Sequence, residues 1–465
     1  MKNAGIICFW ALVCFAAACK APSKALLISQ QPLKQLGDSI GGAHLGVLVV
    51  EAHTGKRLAE WNGHKYFVPA SNTKLLSMYA GLKYLPDSLP ALRYYDSGDT
   101  VFVQPTGDPT FLHSGFNSQP VVDWLLKSRK PMVVDGANWK AERYGPGWAW
   151  GDYQATYQPE RSALPVFGNL APVQYRSWAH SPSNKPDSFV ILRELTIGPM
   201  GGYAIMLQPD WWKACPAADG RFRLTRDYAS NGFVVQYPSD KDTTIITEMP
   251  LATNGNGLAI QALMKLLRRG GDSLGVYVGD GRLNLVTGQT FAVVKSQPLD
   301  SMLKPMMHRS DNFFAEQTLL MASNQLLGYM GDRDMIDTMM KTDFKDMPDK
   351  PVWADGSGLS RYNLQTPANF VWLLDKLRRE FPMERLKAIL PSGNQGTLAN
   401  YYTTLNGKLF AKTGTLSGQV ALSGYLYAKS GKLLLFSVLV NNHNTEAARV
   451  RRQVERFLTG VWEAN

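Results

Sequence analysis

The chain is poor in cysteine: it has four in 465 residues, and Cys8, Cys14 and Cys19 all fall at the very start. Cys215 is alone in the body of the protein, which excludes an internal disulfide framework and leaves stability to core size; the lone thiol reads as structural. No HExxH and no CxxC occurs, so no zinc or iron site is expected. Acidic residues are in deficit, 38 Asp and Glu against 49 Lys and Arg. The resulting net charge of +11 suits anionic surroundings without choosing among membrane surface, wall polymer and nucleic acid. Beyond the N-terminal run, no apolar stretch reaches the ~20 residues of a membrane-spanning helix, which excludes a multi-span membrane protein. Internal repeats and low-complexity linkers are lacking too. What remains is a 45% apolar, 11% aromatic chain. It is long enough for two to four domains at roughly 150 residues each, so it is neither a disordered tail, nor a fibre, nor a single small binding module.

The start, MKNAGIICFWALVCFAAACKAP, joins a cationic Lys2 to an apolar run from Ile6 to Cys19 that contains Ala16, Ala17 and Ala18. That is the grammar of a signal peptide over residues 1–18, and it sends the mature chain to the periplasm or cell envelope. The small residues before Cys19 also fit a bacterial lipobox, with Ala16 in place of the usual Leu. On that reading Cys19 carries lipid and anchors the protein to a membrane; on the other, the chain is cleaved near Ala18 and released.

HLGVLVVEAHTG followed by KRLAEWNG reads as a hairpin, two apolar runs around a turn at His53, Thr54 and Gly55. KLFAKTGTL, GQVALSGYLYA and KLLLFSVLVNN read as three more strands near the C-terminus, followed by an amphipathic helix in NTEAARVRRQVERFLTGVWEA. Together they predict one antiparallel sheet covered by helices, its halves distant in sequence. Between them, about 90 to 290, lies turn-rich material with the look of inserted domains. Trp124, Trp139, Trp148, Trp150, Trp178, Trp211 and Trp212 fall there. Core filling is the favoured reading for them, sugar-stacking platforms the other.

Three short patterns could carry chemistry. In VPASNTKLLSMYAGLKYL, Ser71 and Lys74 stand one helical turn apart, so a lysine whose own proton affinity is lowered could take the serine's proton. In MMHRSDNFFAEQTLL, Ser310 and Asn312 open an apolar-periodic helix and could point into one cleft. In FAKTGTLSG, Lys412 and Gly414 face one side of a strand and Thr413 and Thr415 the other, with Gly414 leaving the backbone open to a ligand. Each has a bland reading. Ser-x-x-K recurs at Ser301–Lys304 and Ser-x-N at Ser392–Asn394, while Lys-Thr-Gly occurs once. Gly271-Asp272-Ser273-Leu274-Gly275 mimics a hydrolase elbow, but a helix rather than a strand precedes it. His308 reads as a solvated or structural histidine.

Taken in order, PASNTK, RSDN and AKTGTLSG resemble the D-alanyl-D-alanine carboxypeptidase/endopeptidase family, the class C low-molecular-mass penicillin-binding proteins. The resemblance covers most of the mature chain and takes in TGDPTF, GPGWAWGD, DGSGLSRYN and the GTL before the last strands. It implies an α+β penicillin-binding domain over 25–90 and 290–465, an inserted domain II over 91–165 and 240–289, and a nested domain III over 166–239. It also implies roles: Ser71 as acylated nucleophile, Lys74 as its proton acceptor, and Ser310 as proton relay to the leaving amine. Asn312 would bind a stem-peptide carbonyl, Lys412 would complete a positive field, and Thr413 and Thr415 would hold the terminal D-alanine carboxylate. The backbone N–H groups of Ser71 and Thr415 would form the oxyanion hole. Asp152 would receive the free amine of the stem's diamino acid, beside Gly151 where many members carry a polar residue. No cofactor is implied. The expected partners are peptidoglycan stem peptides and cross-links, with β-lactams as covalent inhibitors and no nucleic acid. A β-lactamase is the second reading, without a motif for the water-activating carboxylate it would use. A non-catalytic wall-binding lipoprotein is the third, and would have no need of this serine and lysine set.

Overall fold

Five apolar strands assemble into one antiparallel sheet, as their patterning requires. The computed structural model describes residues 33–180, 190–197, 207–238, 242–269, 275–279 and 291–465. The leader, Cys19 and Ser273 lie outside them. Strands β1 (His44–Glu51), β2 (Arg57–Trp61), β3 (Leu409–Leu416), β4 (Gln419–Tyr427) and β5 (Leu433–Asn441) pair in the order β3-β4-β5-β1-β2. All four pairings are antiparallel, so the first strand closes against the last, Leu48 opposite Ser437.

The strands read as near-continuous apolar runs because both faces of the sheet are covered. On one face Leu48, Ala421, Tyr425 and Leu439 pack with helices α1 (Lys74–Tyr84), α2 (Leu299–His308), α3 (Asn312–Leu327) and α4 (Pro367–Glu380). On the other, Val47, Val49, Val420 and Leu422 pack under α5 (Ala447–Ala464). Val450, Val454, Phe457, Leu458 and Val461 form the buried stripe of α5, at the spacing of one helical face. α1 is buried nearly throughout, and it lies so close to α3 that a methyl at Gly81 would come within 2.9 Å of Thr318.

The chain leaves this body along strand Ser88–Asp96 and returns along its antiparallel neighbour Ala292–Pro298. With Val101–Pro105, Met132–Val134 and Val276–Val278 these form a second five-stranded sheet. Two three-stranded sheets follow, one built on Leu170–His180 and one on Gly232–Tyr237. Helices Pro120–Ser128 and Gly257–Arg269 share a core with all three through Val122, Leu125, Leu263 and Leu266.

Two expectations need correction. Cys215 is exposed on strand Trp211–Pro216, where its side chain alternates away from the core, so it is not a packed structural thiol. Core filling describes Trp124 and Trp212, which pack against the second core, but not Trp150 or Trp211. Trp150 is 82% exposed on the short turn Trp150–Asp152, and Trp211 lies across the bare backbone of Gly232 on the neighbouring strand.

Candidate active site

Pro69 and the positive φ of Ala70 (48°) bend the chain into a 3-10 turn, Ala70–Thr73, immediately before α1. The turn presents Ser71 at the surface of a cleft and buries Lys74 behind it. Two glycines permit this. A methyl at Gly358 would sit 1.9 Å from the Ala70 carbonyl oxygen, and one at Gly414 would sit 2.7 Å from that of Pro69. Gly414 thus serves the approach of the serine turn to β3, rather than access for a ligand. Asn72 fastens the same contact by donating to the Lys412 carbonyl at 3.0 Å.

The Lys74 amine is fully engaged. Its Nζ donates to Ser71 Oγ at 2.9 Å, Asn312 Oδ1 at 2.6 Å and the Ser357 carbonyl at 2.7 Å, one acceptor for each proton of an ammonium. Burial pushes its pKa down to about 8, opposed by the negative charges of Asp355, Glu316 and Asp311. An amine so poised both holds Ser71 in place and can accept its proton.

The turn between α2 and α3 supplies the second wall. Ser310 adopts φ 59°, and Asp311 caps α3 by accepting from the Phe314 N–H at 3.0 Å, which aims Ser310 and Asn312 toward Lys74. Lys412 Nζ donates to Ser310 Oγ at 2.9 Å and to the Thr413 carbonyl at 2.8 Å. Burial, reinforced by Lys74, pushes the Lys412 pKa well down. Two lysines and two serines therefore line up as Ser71–Lys74–Asn312 and Ser310–Lys412, with their nitrogens inside the protein and their hydroxyls toward the cleft.

That cleft, of about 470 Å³, is lined by Ser71, Asp152, Tyr157, Ser310, Asn312 and Thr415 among others. Asp152 thus stands in one cavity with Ser71, its carboxylate near the Tyr157 hydroxyl. Asn312 turns its amide donor to the Tyr157 carbonyl at 2.8 Å. Thr413 and Thr415 alternate with Lys412 and Gly414 along β3: Thr413 Oγ1 donates to Thr397 Oγ1 at 2.7 Å, and the Thr415 hydroxyl, at the cleft, accepts from Arg451 of α5 at 2.6 Å. Among the described residues, no group of three or more His, Cys, Asp or Glu is placed to hold a metal ion.

The recurrent patterns fall elsewhere. Ser301 and Lys304 are both exposed on α2. Ser392 is buried and its hydroxyl accepts from the Gly407 N–H. His308 is half-buried and outside the cleft lining. Missed in the sequence were Glu316, Ser357, Asp355, Arg161 and Arg451. The DGSG stretch was the available signal for Asp355 and Ser357; the others stand in helices or turns with nothing local to mark them.

The model of the D-Ala-D-Ala carboxypeptidase 3 (S13) family matches residues 30–461. The chain is 26% identical over 441 residues to a D-alanyl-D-alanine carboxypeptidase of Actinomadura sp. (strain R39), covering 88% of this chain and 80% of that one. It is 22% identical over 442 residues to D-alanyl-D-alanine carboxypeptidase DacB of Haemophilus influenzae, covering 87% and 86%. The crystal structure of penicillin binding protein 4 (dacB) from Haemophilus influenzae superposes with a TM-score of 0.70 at 19% identity, covering 93% of this chain and 98% of that one. The same protein solved with a β-lactam superposes at 0.67, with 18% identity and the same coverage.

Proposed function

Since the chain belongs to the D-Ala-D-Ala carboxypeptidase 3 (S13) family and is a serine DD-peptidase, we propose that Ser71 is its nucleophile and Lys74 the base that activates it. The observation that carries this reading is the 2.9 Å contact between Lys74 Nζ and Ser71 Oγ, on an amine whose pKa burial has brought down to about 8. In its neutral form Lys74 takes the Ser71 proton as Oγ attacks the carbonyl of the penultimate D-alanine. The resulting oxyanion lies against the backbone N–H groups of Ser71 and Thr415, donors worth ~2.7–4 kcal/mol each in such sites. Ser310 passes a proton to the departing amine and is resupplied by its neighbour Lys412. The C–N bond breaks, D-alanine leaves, and Ser71 is esterified. Water then repeats the sequence in reverse roles and frees the enzyme.

Asn312 and Asp152 line the cleft where the stem peptide would bind, Asn312 toward a backbone carbonyl and Asp152 toward the diamino acid's amine. Thr413 and Thr415 would take the terminal carboxylate. When the leaving amine belongs to a second stem, the same steps cut a cross-link. Peptidoglycan is the substrate, so the protein works outside the cytoplasm, and β-lactams acylate Ser71. For the domains we propose the boundaries 25–90 with 290–465, 91–165 with 240–289, and 166–239; the paired exit and return strands support the first. Lipid attached at Cys19 would anchor the chain, and mass analysis of the membrane fraction tests it.

Fluorescent-penicillin labelling over time tests the central claim. Persistent label on the parent, absent from a folded Ser71→Ala variant and kept by Ser301→Ala, is the expected result. Rapid turnover of the label would indicate a β-lactamase instead, and no label a binding protein. Label retained by Ser71→Ala would overturn the assignment.

A further inference from the structure

Behind the Lys74 amine lies a buried charged cluster that none of the steps above uses. Glu316, on α3 and 1% exposed, accepts the Ser357 N–H on Oε1 at 2.7 Å. The carbonyl of the same Ser357 accepts from Lys74 Nζ at 2.7 Å. The other Glu316 oxygen, Oε2, accepts from Arg161 Nη1 at 3.2 Å, and Arg161, 2% exposed, also reaches Asp332 at 2.8 Å. Arg161 comes from the inserted part of the chain. It gathers its own segment by donating to the Glu142 and Tyr144 carbonyls, and its guanidinium lies over the Trp148 ring. Trp148 Nε1 in turn donates to Asp355 at 2.8 Å. The segment that ends in Asp152 is therefore pinned at two points to the groups surrounding the Lys74 amine.

We propose that Glu316 is a positioning residue for the acylation step: through the Ser357 backbone it holds the amine of Lys74, and through Arg161 it ties that amine to the inserted segment carrying Asp152. The inference rests on Lys74 being the base for Ser71. It asks no new chemistry of Glu316, which touches neither substrate nor Ser71.

Charge gives the arrangement a direction. Glu316 faces Arg161, Asp332, Asp355 and, beyond Ser357, Lys74; Lys74 also feels Asp311, and Lys412 feels Lys74. Burial first, then the neighbouring Asp355, raises the Glu316 carboxyl to about 7. While ionised it favours the ammonium form of Lys74. Removing its charge makes the free amine available at lower pH.

The test is the second-order acylation rate with fluorescent penicillin, measured on the full chain between about pH 5 and pH 10. Glu316→Gln keeps an oxygen for the Ser357 N–H and removes the charge, so the acid limb should move down by about one pH unit. Asp332→Asn leaves Glu316 charged at the limb near pH 8, where a carboxyl that titrates at about 7 is already ionised, so its limb should stay with the parent's. A downward displacement in Glu316→Gln with none in Asp332→Asn is the signature, because a purely structural role lowers the rate at every pH and moves neither limb. Profiles parallel to the parent's in a folded Glu316→Gln protein overturn the proposal. If that variant does not fold, Glu316→Asp keeps the charge but shortens the reach to the Ser357 N–H, so the acylation rate should fall with the limb unmoved, and a parent-like rate in that folded variant overturns it. Failure of the underlying reading looks different: label would then persist in Ser71→Ala, whatever the limbs do.

Discussion

Gly358 and Ala70 are in backbone contact, the one with φ 81° and the other with φ 48°, leaving no room for a side chain between the DGSG loop and the Ser71 turn. Gly358→Ala should therefore destabilise the protein by about 3 kcal/mol or more, through the clash and the positive φ together. Gly431, with φ 86° and open space around it, isolates the second term, and Gly431→Ala should cost only about 1 kcal/mol. Urea titration of the two variants gives the comparison. Equal midpoints would mean that the loop yields and the contact matters little.

The depressed pKa of Lys74 makes two predictions about pH. Acylation of Ser71 should rise with pH through about 8, as the amine loses its proton. Stability should change in the same range. The unfolded chain holds the lysine proton up to its ordinary value of 10.5, the folded chain only to about 8, so between these limits the unfolded state binds more protons and stability rises with pH. Below 8 the buried charge costs about 3 kcal/mol. Lys74→Met should then be more stable than the parent at neutral pH, with the gap closing above pH 8. Melting curves across that range decide it; a gap independent of pH would contradict the shift.

Lys412 should matter for turnover far more than for folding. Its amine is buried and spends its protons on Ser310 and the Thr413 carbonyl, so Lys412→Gln should lower turnover of D-Ala-D-Ala peptides by about 10²–10³ while Tm changes little. The loss should be larger for peptides ending in a free carboxylate than for their amides. Equal activity of the parent on acid and amide would argue against a carboxylate site beside Thr413 and Thr415.

Asp152 offers a test of substrate choice. A carboxylate that meets an ammonium in a cleft contributes about 1.5–3 kcal/mol, so Asp152→Asn should lower kcat/KM about 10- to 100-fold on stems with a free side-chain amine. On N-acetylated stems the two proteins should be alike. Parallel losses on both substrates would reduce Asp152 to a fold-supporting turn residue.

The main sheet was legible because both of its faces are buried, which writes each strand as a continuous apolar run, and the C-terminal helix because its stripe is regular. The five polar residues that meet around the cleft, Ser71, Lys74, Ser310, Asn312 and Lys412, stand in short motifs that marked them as candidates. Glu316 was not: it sits four residues after Asn312 on a helix buried from Phe313 to Asn324, and nothing local separates it from an ordinary helical glutamate. Arg161 takes its meaning from Asp332 and Glu316, far along the chain. Gly414 was noticed for the wrong reason, since its neighbour is Pro69, and only the folded sheet brings that carbonyl near. Trp150 and Cys215 were misjudged because composition predicts how often a residue type is buried and says nothing about which copies are.

β1 carries the chain into the molecule, and its partner β5 is among the last strands to be made. Until β5 has emerged from the ribosome, β1 has no neighbour on that side, Lys412 has no fixed place beside Ser310, and the turn before Ser71 lacks the strand against which Gly414 seats it. Chains that stop short of β5 should consequently be chemically silent, and penicillin should acylate only those in which β5 has paired with β1. Such distant pairing also makes assembly slow. Pulses of fluorescent penicillin during synthesis should register only chains that contain β5; label on shorter chains would show that the first half can build the site unaided.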